Sequence, residues 1–428
     1  MKRIYAIMTV LALCGWNTTQ AQNVETEITV TDKGKEEVIE LPQGMITEVD
    51  SLLHLYNTKT YMKPATDCNV PNVNPIYTKE EYMERLKRIP SVIEMPYNDI
   101  VQKFIDRYSS RLRRSVSYML GAQNFYMPIF EQALETYGLP LELKYLPVIE
   151  SALNPKAVSR VGATGLWQFM LKTGKNYGLE VNSLVDERRD PVKASYAAAR
   201  YLSDLYKIFG NWNLVIAAYN CGPNNINKAI HRAGGERDYW KISSYLPRET
   251  QGYVPAFIAA NYVMNYYSVH NIQPMRVTFS SNTDTILVNR DVKMEKIASI
   301  CNIDINELKA LNPQYNTTLI PGYKMECILR MPQKQILTFI DLQDSIYSDD
   351  KMAERSLSQT ADSDASPNAK TTKSTSKSSG SSPRYVTIRK GQTLSVIAKQ
   401  NHTTVANLRR LNGIKGSSIR AGKKIRVR

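Results

Sequence analysis

The sequence predicts a multidomain chain in which an all-α block of about 170 residues precedes two small α+β units of strand–helix–helix–strand order. Three observations carry this. From Tyr97 to Tyr267 apolar residues recur at helical spacing between cap signals. Past Pro274 two short units repeat one another at positions 100 apart: Ile297 with Ile397, Ala298 with Ala398, Leu308 with Leu408, Leu311 with Leu411, Asn312 with Asn412 and Gly322 with Gly422. Between the units, Asp341–Pro383 is rich in Ser, Thr, Asp and Lys and nearly free of large apolar residues after Met352. Such a stretch cannot bury enough surface to order itself and reads as a flexible linker. A length of 428 residues with 43% hydrophobic and 22% charged content suits two or three soluble domains. It excludes collagen-like, coiled-coil and multi-pass membrane chains.

The elements follow in order. Lys2 and Arg3, the apolar run Ile4–Leu13 and the small residues before Gln22 predict a secretory signal peptide over 1–21, cleaved after Ala21. The run is too short for a membrane helix, which needs about 20 residues. A lipoprotein reading, with Cys14 as acceptor, ranks second because Leu13 is not small. Residues 22–90 are polar with weak periodicity and predict an extended or partly disordered arm with short helices. In the helical block, Asn98-Asp99 predicts the start of a helix through Arg114, and Gly121-Ala122-Gln123 a break before Met127–Tyr137, which Gly138 ends. Pro140 opens the next helix. Asp190-Pro191 repeats the cap-then-proline start ahead of the Ala-rich Ser195–Phe209, and Gly210 closes it.

Charge and cysteines bound the chemistry. The formal charge is +15, yet all 40 acidic residues lie at or before Asp364. Ala365–Arg428 holds 15 Lys and Arg and no carboxylate, so the first 364 positions balance to zero. After removal of the signal, Cys68, Cys221, Cys301 and Cys327 remain, without a CxxC or Cys/His cluster. No metal is expected, because His54, His231, His270 and His402 are scattered without ligand spacing. No cofactor is expected either. A disulfide between Cys301 and Cys327 and a free pair both stay open.

The densest cluster of unusual residues is Pro147-Val-Ile-Glu150-Ser151-Ala-Leu-Asn154-Pro155, then Ser159 and Gly162-Ala-Thr-Gly165-Leu-Trp167-Gln168. Glu150 follows apolar Leu146, Val148 and Ile149. Burial among such neighbours penalises a charge, which predicts a neutral carboxyl able to act as a general acid. Ala218-Tyr219-Asn220-x-Gly222-Pro223 and Glu249-Thr250-x-x-Tyr253-Val254 follow in the same chain. These four motifs, in this order, resemble those of lytic transglycosylase catalytic domains with a goose-lysozyme-like fold, over roughly Tyr97–Tyr267. The paired repeats are similar to LysM modules, which bind the N-acetylglucosamine of peptidoglycan.

The resemblance implies an all-α lysozyme-like catalytic domain over 91–272, a degenerate LysM-like module over 276–332, a linker over 333–383 and a LysM module over 384–428. It implies that Glu150 is the single catalytic acid and then base. Glu150 would protonate the oxygen between N-acetylmuramic acid and N-acetylglucosamine, and the muramic C6 hydroxyl would close on C1 to leave a 1,6-anhydro end. Ser159 and Gln168 are implied as hydrogen-bond donors near the acetamido group. Tyr219, close to the carboxylate, and Asn220 line the cleft, with Glu249 and Tyr253 on its far wall. Ser151 and Gly162, Gly165 and Gly222 are read as helix-ending, turn and packing residues. Trp167 stands where Met is frequent and is expected to alter how a sugar face packs; Cys221 stands where Ala is usual and is expected to be a small buried filler. In the last module Gly391, Gln392, Thr393, Leu411, Asn412 and Gly413 are implied as glycan contacts. The first repeat reads Asp291-Val292-Lys293-Met294 in place of Gly-Gln-Thr-Leu, which puts its glycan binding in doubt.

The implied partner is the peptidoglycan glycan strand, met by an exported monomer in the periplasm or cell envelope; peripheral association with the outer membrane stays open. Three rival readings also stay open. They are a hydrolytic muramidase using the same Glu150, a catalytically silent wall-binding protein, and a nucleic-acid-binding role for the basic tail. The last is disfavoured because the tail offers only Tyr385 as an aromatic platform.

Overall fold

A helix that is apolar on every side has to be buried on every side, and Arg248–Tyr266 meets that condition: from Thr250 to Met264 all but Gln251 are buried. The other helices of the catalytic block assemble around it. The structure, a computed structural model, describes residues 26–32, 35–46, 62–63, 70–277, 282–348, 385–388, 394–401, 403–414 and 422–427. The predicted signal peptide, Cys14, Cys68, most of the Ser/Thr-rich segment and Gly391–Thr393 lie outside the described residues. The chain divides into two units, Met1–Leu357 and Ser358–Arg428.

The first unit opens with a hairpin of β1 (Glu27–Asp32) and β2 (Lys35–Glu40), paired antiparallel from Glu27↔Glu40 to Asp32↔Lys35. A single turn of helix, α1 (Gln43–Ile46), and a two-residue strand, β3 (Met62–Lys63), follow. The helical block comprises α2 (Lys79–Arg88), α3 (Asp99–Ser109), α4 (Arg113–Thr136), α5 (Leu146–Ser151), α6 (Leu171–Asn176), α7 (Pro191–Phe209), α8 (Trp212–Cys221), α9 (Pro223–Arg232), α10 (Tyr239–Ile242) and α11 (Arg248–Tyr266). Caps set these boundaries. Asn98, Asp190 and Asn211 each accept a backbone N–H of the first turn they precede, worth about 1 kcal/mol apiece. Gly210 ends α7 in the left-handed region.

Two boundaries differ from the sequence reading. The helix expected through Arg114 stops at Ser109, and α4 then runs unbroken through Gly121 and Pro128. Tertiary burial explains it: Ser115, Val116, Tyr118–Ala122, Tyr126, Met127 and Phe130 are all buried, and packing outweighs the ~1 kcal/mol cost of a glycine inside a helix.

The N-terminal arm differs more. The expected extended segment is a hairpin and a helical turn built into the core: Val30, Ile39, Leu41 and Met45 are buried in the same cluster as Phe104, Ile149 and Phe257. β2 packs on α11, and α1 on α5. The signal is weak in sequence because only a few apolar residues, set among Glu and Thr, make the contact, and their partners lie far along the chain.

The first α+β module contains β5 (Thr283–Val288), β6 (Asp291–Lys293), α12 (Met294–Ile300), α13 (Ile305–Leu311), β7 (Leu319–Pro321) and β8 (Cys327–Pro332), after a short strand β4 (Arg276–Val277) that pairs with β3. β5 pairs antiparallel with β8 and β6 with β7. Two more helices, α14 (Gln333–Asp341) and α15 (Gln343–Ile346), close the module, with Ile336, Phe339 and Ile346 in its core. Residues 333–348 are therefore ordered structure and not linker, because three apolar side chains spaced on helical turns bury against Leu329 and Met331. Cys301 and Cys327 are both buried and free, so no disulfide braces this module.

The module is joined to the catalytic block by backbone. Asp186 N donates to Gln314 O at 2.8 Å and Asn316 N to Leu184 O at 2.8 Å, with an antiparallel bridge between Val185 and Tyr315. Arg189 adds a side-chain bond to Asn316 Oδ1 at 2.9 Å.

The second unit is a minimal version of the same plan. β9 (Tyr385–Thr387) pairs antiparallel with β10 (Lys424–Arg426), and α16 (Leu394–Gln400) and α17 (Val405–Asn412) pack over Ile388, Ile397, Leu408 and Ile425. The repeated asparagine has one function in both modules. Asn412 donates to Leu408 O and Arg426 O and accepts from Arg426 N, as Asn312 does with Leu308 and Arg330. Its amide fastens the second helix to the last strand. In Asn412, expected as a glycan contact, both amide N–H groups and one acceptor site of the oxygen serve the fold. Gly413 ends α17 in the left-handed region, and Leu411 is half-buried.

Candidate active site

α5 is short because its sequence cannot continue. Ala152 and Leu153 take left-handed backbone, at φ 50° and 59°, a conformation that costs an L-residue of order 1 kcal/mol or more. Both are fully buried, and the surrounding core holds them there. The Ser151 hydroxyl lies within bonding distance of Pro147 O and Leu166 O, tying the end of the helix to the Gly165–Phe169 segment. This geometry leaves Glu150 at the helix end, on the floor of a cleft of about 410 Å³. Larger clefts lie beside Pro332–Leu337 and beside Arg111–Arg114.

Burial pushes the Glu150 carboxyl up to about 8, with a smaller upward push from the like charge of Glu249 and an opposing pull from the Tyr253 hydrogen bond. Tyr253 donates its hydroxyl proton to Glu150 Oε1. Tyr253 is buried behind Glu150 and does not line the cleft, so the far-wall position expected for it is corrected. Tyr219 does line the cleft, but its hydroxyl donates to Trp167 O at 2.8 Å. Tyr253 reaches the carboxyl because it projects from α11, which packs on α5, and Tyr219 lies close enough to feel the charge of Glu150.

Ser159, Gln168, Asn220 and Glu249 line the cleft with Glu150. Ser159 Oγ accepts Ala163 N at 3.0 Å. Gln168, at φ 47°, donates its amide to Gly165 O at 2.8 Å and Ala157 O at 3.3 Å. Two carbonyl partners fix the amide's orientation and take up its N–H groups, so the donor role expected for Gln168 is already used within the protein, and Oε1 is buried without a partner. Thr250 donates to Asn220 Oδ1 at 2.6 Å, and Asn220 donates to Glu249 Oε1 at 3.2 Å. That chain locks Asn220 and Glu249 together across α8 and α11.

Trp167 is fully buried and its indole N–H donates to Ser195 Oγ at 2.9 Å. It cannot stack on a sugar, contrary to expectation. Cys221 is half-buried and lines the cleft, so it is more than an internal filler.

Several residues of the site carry no sequence signal of their own. Arg188 is buried, pairs with both oxygens of Asp186 at 2.9 and 2.8 Å, and donates to Gly162 O and Phe169 O. Its own carbonyl lies 1.8 Å from where a Cβ on Gly165 would stand, and Gly165 has φ +91°, so only glycine fits there. Arg188 thus pins the loop that carries Gln168, while the backbone of Asp186 meets the first module. Charged residues ahead of a proline-started helix resemble any solvated loop in sequence, and only burial distinguishes this pair.

A helical domain with one neutral carboxyl in a polar cleft, followed by modules of paired strands and helices, defines a lysozyme-like enzyme with appended binding modules. Residues 127–242 match the Transglycosylase SLT domain, 282–348 the LysM-like domain of lytic transglycosylase MltD, and 386–428 the LysM domain. The chain thus carries an SLT domain followed by two LysM-type modules, and in this it is similar to lytic transglycosylases. It is 29% identical over 341 residues to membrane-bound lytic murein transglycosylase D of Escherichia coli (strain K12), across 78% of this chain and 70% of that one. It is 33% identical over 124 residues to the soluble lytic murein transglycosylase of the same strain, across 28% of this chain and 19% of that one. The crystal structure of the 70 kDa soluble lytic transglycosylase from Escherichia coli aligns at 28% identity over 33% of this chain and 24% of that one, with a TM-score of 0.30.

Proposed function

We propose that the protein is a peptidoglycan lytic transglycosylase in which Glu150 serves as acid and then as base. The observation that carries this reading is a carboxyl held neutral up to about pH 8 on the floor of a polar cleft, with Tyr253 fixing its orientation. A neutral Glu150 gives its proton to the glycosidic oxygen between N-acetylmuramic acid and N-acetylglucosamine as the C1–O bond breaks. The substrate's own acetamido oxygen supports the positive charge developing at C1. The carboxylate left behind then takes the proton of the muramic C6 hydroxyl as O6 bonds to C1. A 1,6-anhydromuramic end forms, no water is consumed, and Glu150 returns to its starting state.

The remaining residues orient the sugar. Gln168, Ser159, Tyr219 and Asn220 border the same space. Hydrolysis by the same Glu150 is the second reading, and the observation in its favour is Glu249, a further carboxylate in the same cleft. Mass spectrometry of products from purified sacculi separates the two: anhydromuramic ends are expected, and reducing muramic ends would establish the muramidase.

The work is done in the cell envelope, on glycan strands held by the LysM modules. Among the described residues no helix is long and apolar enough to cross a membrane. The basic Ala365–Arg428 raises the local concentration of enzyme at a wall bearing stem-peptide carboxylates.

A further inference from the structure

The residues lining the catalytic cleft run from Glu150 to Glu249, with one exception: Gln43, which stands far upstream in the N-terminal arm and outside the stretch that matches the SLT domain. The backbone that carries it is fixed against the catalytic helix. A Cβ on Gly44 would lie 2.4 Å from Val148 O and 2.8 Å from Ile149 O, so α1 rests backbone to backbone on the two residues preceding Glu150. Any side chain at 44 would force those elements apart, since backbone atoms cannot yield as a flexible side chain can. The flanking anchors are buried: Leu41 at 5% exposure and Met45 at 0% on either side, and Ile39 packed where Gly252 of α11 leaves room. Gln43 alone of this turn faces the cleft, half-buried, with an amide that both donates and accepts.

We propose that Gln43 is a substrate-contacting residue, held on a strap that forms one wall of the glycan cleft and whose amide binds a hydroxyl or acetamido group of the amino-sugar chain. The inference rests on the transglycosylase reading of Glu150 and adds a subsite to it. A second consequence follows from the packing. The strap packs on the helix bearing Glu150 and the hairpin on α11, so both are part of the catalytic domain.

The test is steady-state kinetics of the full chain on soluble uncross-linked glycan strands, with products identified by mass spectrometry. Gln43→Ala is expected to raise KM about five- to twentyfold with kcat changed less than twofold. In parallel, titration of Glu150→Gln with tetra-N-acetylchitotetraose is expected to show at least fivefold weaker binding once Gln43→Ala is added. Unchanged KM together with unchanged oligosaccharide affinity overturns the proposal. Should Gln43→Ala lower the melting temperature by more than a few degrees, the isosteric Gln43→Glu carries the same expectation, and a normal KM for it overturns the proposal equally. Wild-type protein that makes no anhydromuramic ends yet binds the tetrasaccharide through Gln43 would overturn the reaction and leave the subsite standing.

Discussion

Replacing Glu150 with Gln should abolish lysis and at the same time stabilise the fold, by an amount that grows with pH. The carboxyl ionises at its ordinary 4.5 in the unfolded chain and near 8 in the folded one. Between those values the folded state holds a proton that the unfolded state has lost, so wild-type stability falls as pH rises from about 4.5 through 8. Each pH unit of that interval costs about 1.4 kcal/mol. The burden is under about 1 kcal/mol at pH 5, about 3 at pH 7 and about 5 at pH 9. A neutral amide of the same shape removes it, and Tyr253 can still donate to the amide oxygen. At about 2–4 °C per kcal/mol for a domain of this size, Glu150→Gln should melt roughly 6–12 °C above wild type at pH 7 and within about 3 °C of it at pH 5. Differential scanning calorimetry across that range, paired with turbidity loss of sacculi, checks both halves. An equal shift at pH 5 and pH 8 would refute the argument that burial holds this carboxyl neutral, and full lysis by the variant would remove Glu150 from the chemistry.

Tyr253→Phe removes the donor that lowers the Glu150 carboxyl, so the alkaline limb of the rate profile should move to higher pH while kcat falls roughly ten- to hundredfold; an unmoved limb would show the bond to be incidental. Arg188→Ala leaves Asp186 charged and buried without its partner, which should cost about 3–5 kcal/mol in denaturant melts, and a loss below about 1 kcal/mol would place the pair in solvent. Deleting Ala365–Arg428 should abolish salt-sensitive binding to sacculi while cleavage of soluble glycan continues, with pull-down at low and high salt as the assay. Cys301 and Cys327 should both take up alkylating reagent after unfolding without reductant, and a mass shift appearing only with reductant would mean that they are bonded.

How much was legible differs from residue to residue. Glu150 announced itself through apolar neighbours and ordered motifs, and the caps at Asn98 and Asp190 are local interactions within a few residues. The same locality explains the repeat: Leu308 and Leu408, or Asn312 and Asn412, serve contacts inside one small unit, so their pattern survives in the chain. What escaped were contacts between distant segments. Gln43 and Arg188 are ordinary residues in ordinary surroundings until the chain folds, and Tyr253, though part of a motif, could not be paired with Glu150 from the chain alone. The hairpin's few buried side chains gave no period to read, and Gln333–Ile346 looked like the start of a polar tail because only a few of its residues reach the core.

From the sequence alone came the modular order, because spacing, caps and local polarity are properties of adjacent residues, while the resemblance of its four ordered motifs implied the kind of enzyme and the expectation of Glu150 as its single acid and base. Tertiary structure decided which tyrosine touches Glu150, that Trp167 is walled off from substrate, that the Gln168 amide is held by two backbone carbonyls, and that the N-terminal strap lines the cleft. Those outcomes depend on which surfaces meet across the core, and burial is a property of the packed whole that no local stretch of residues contains.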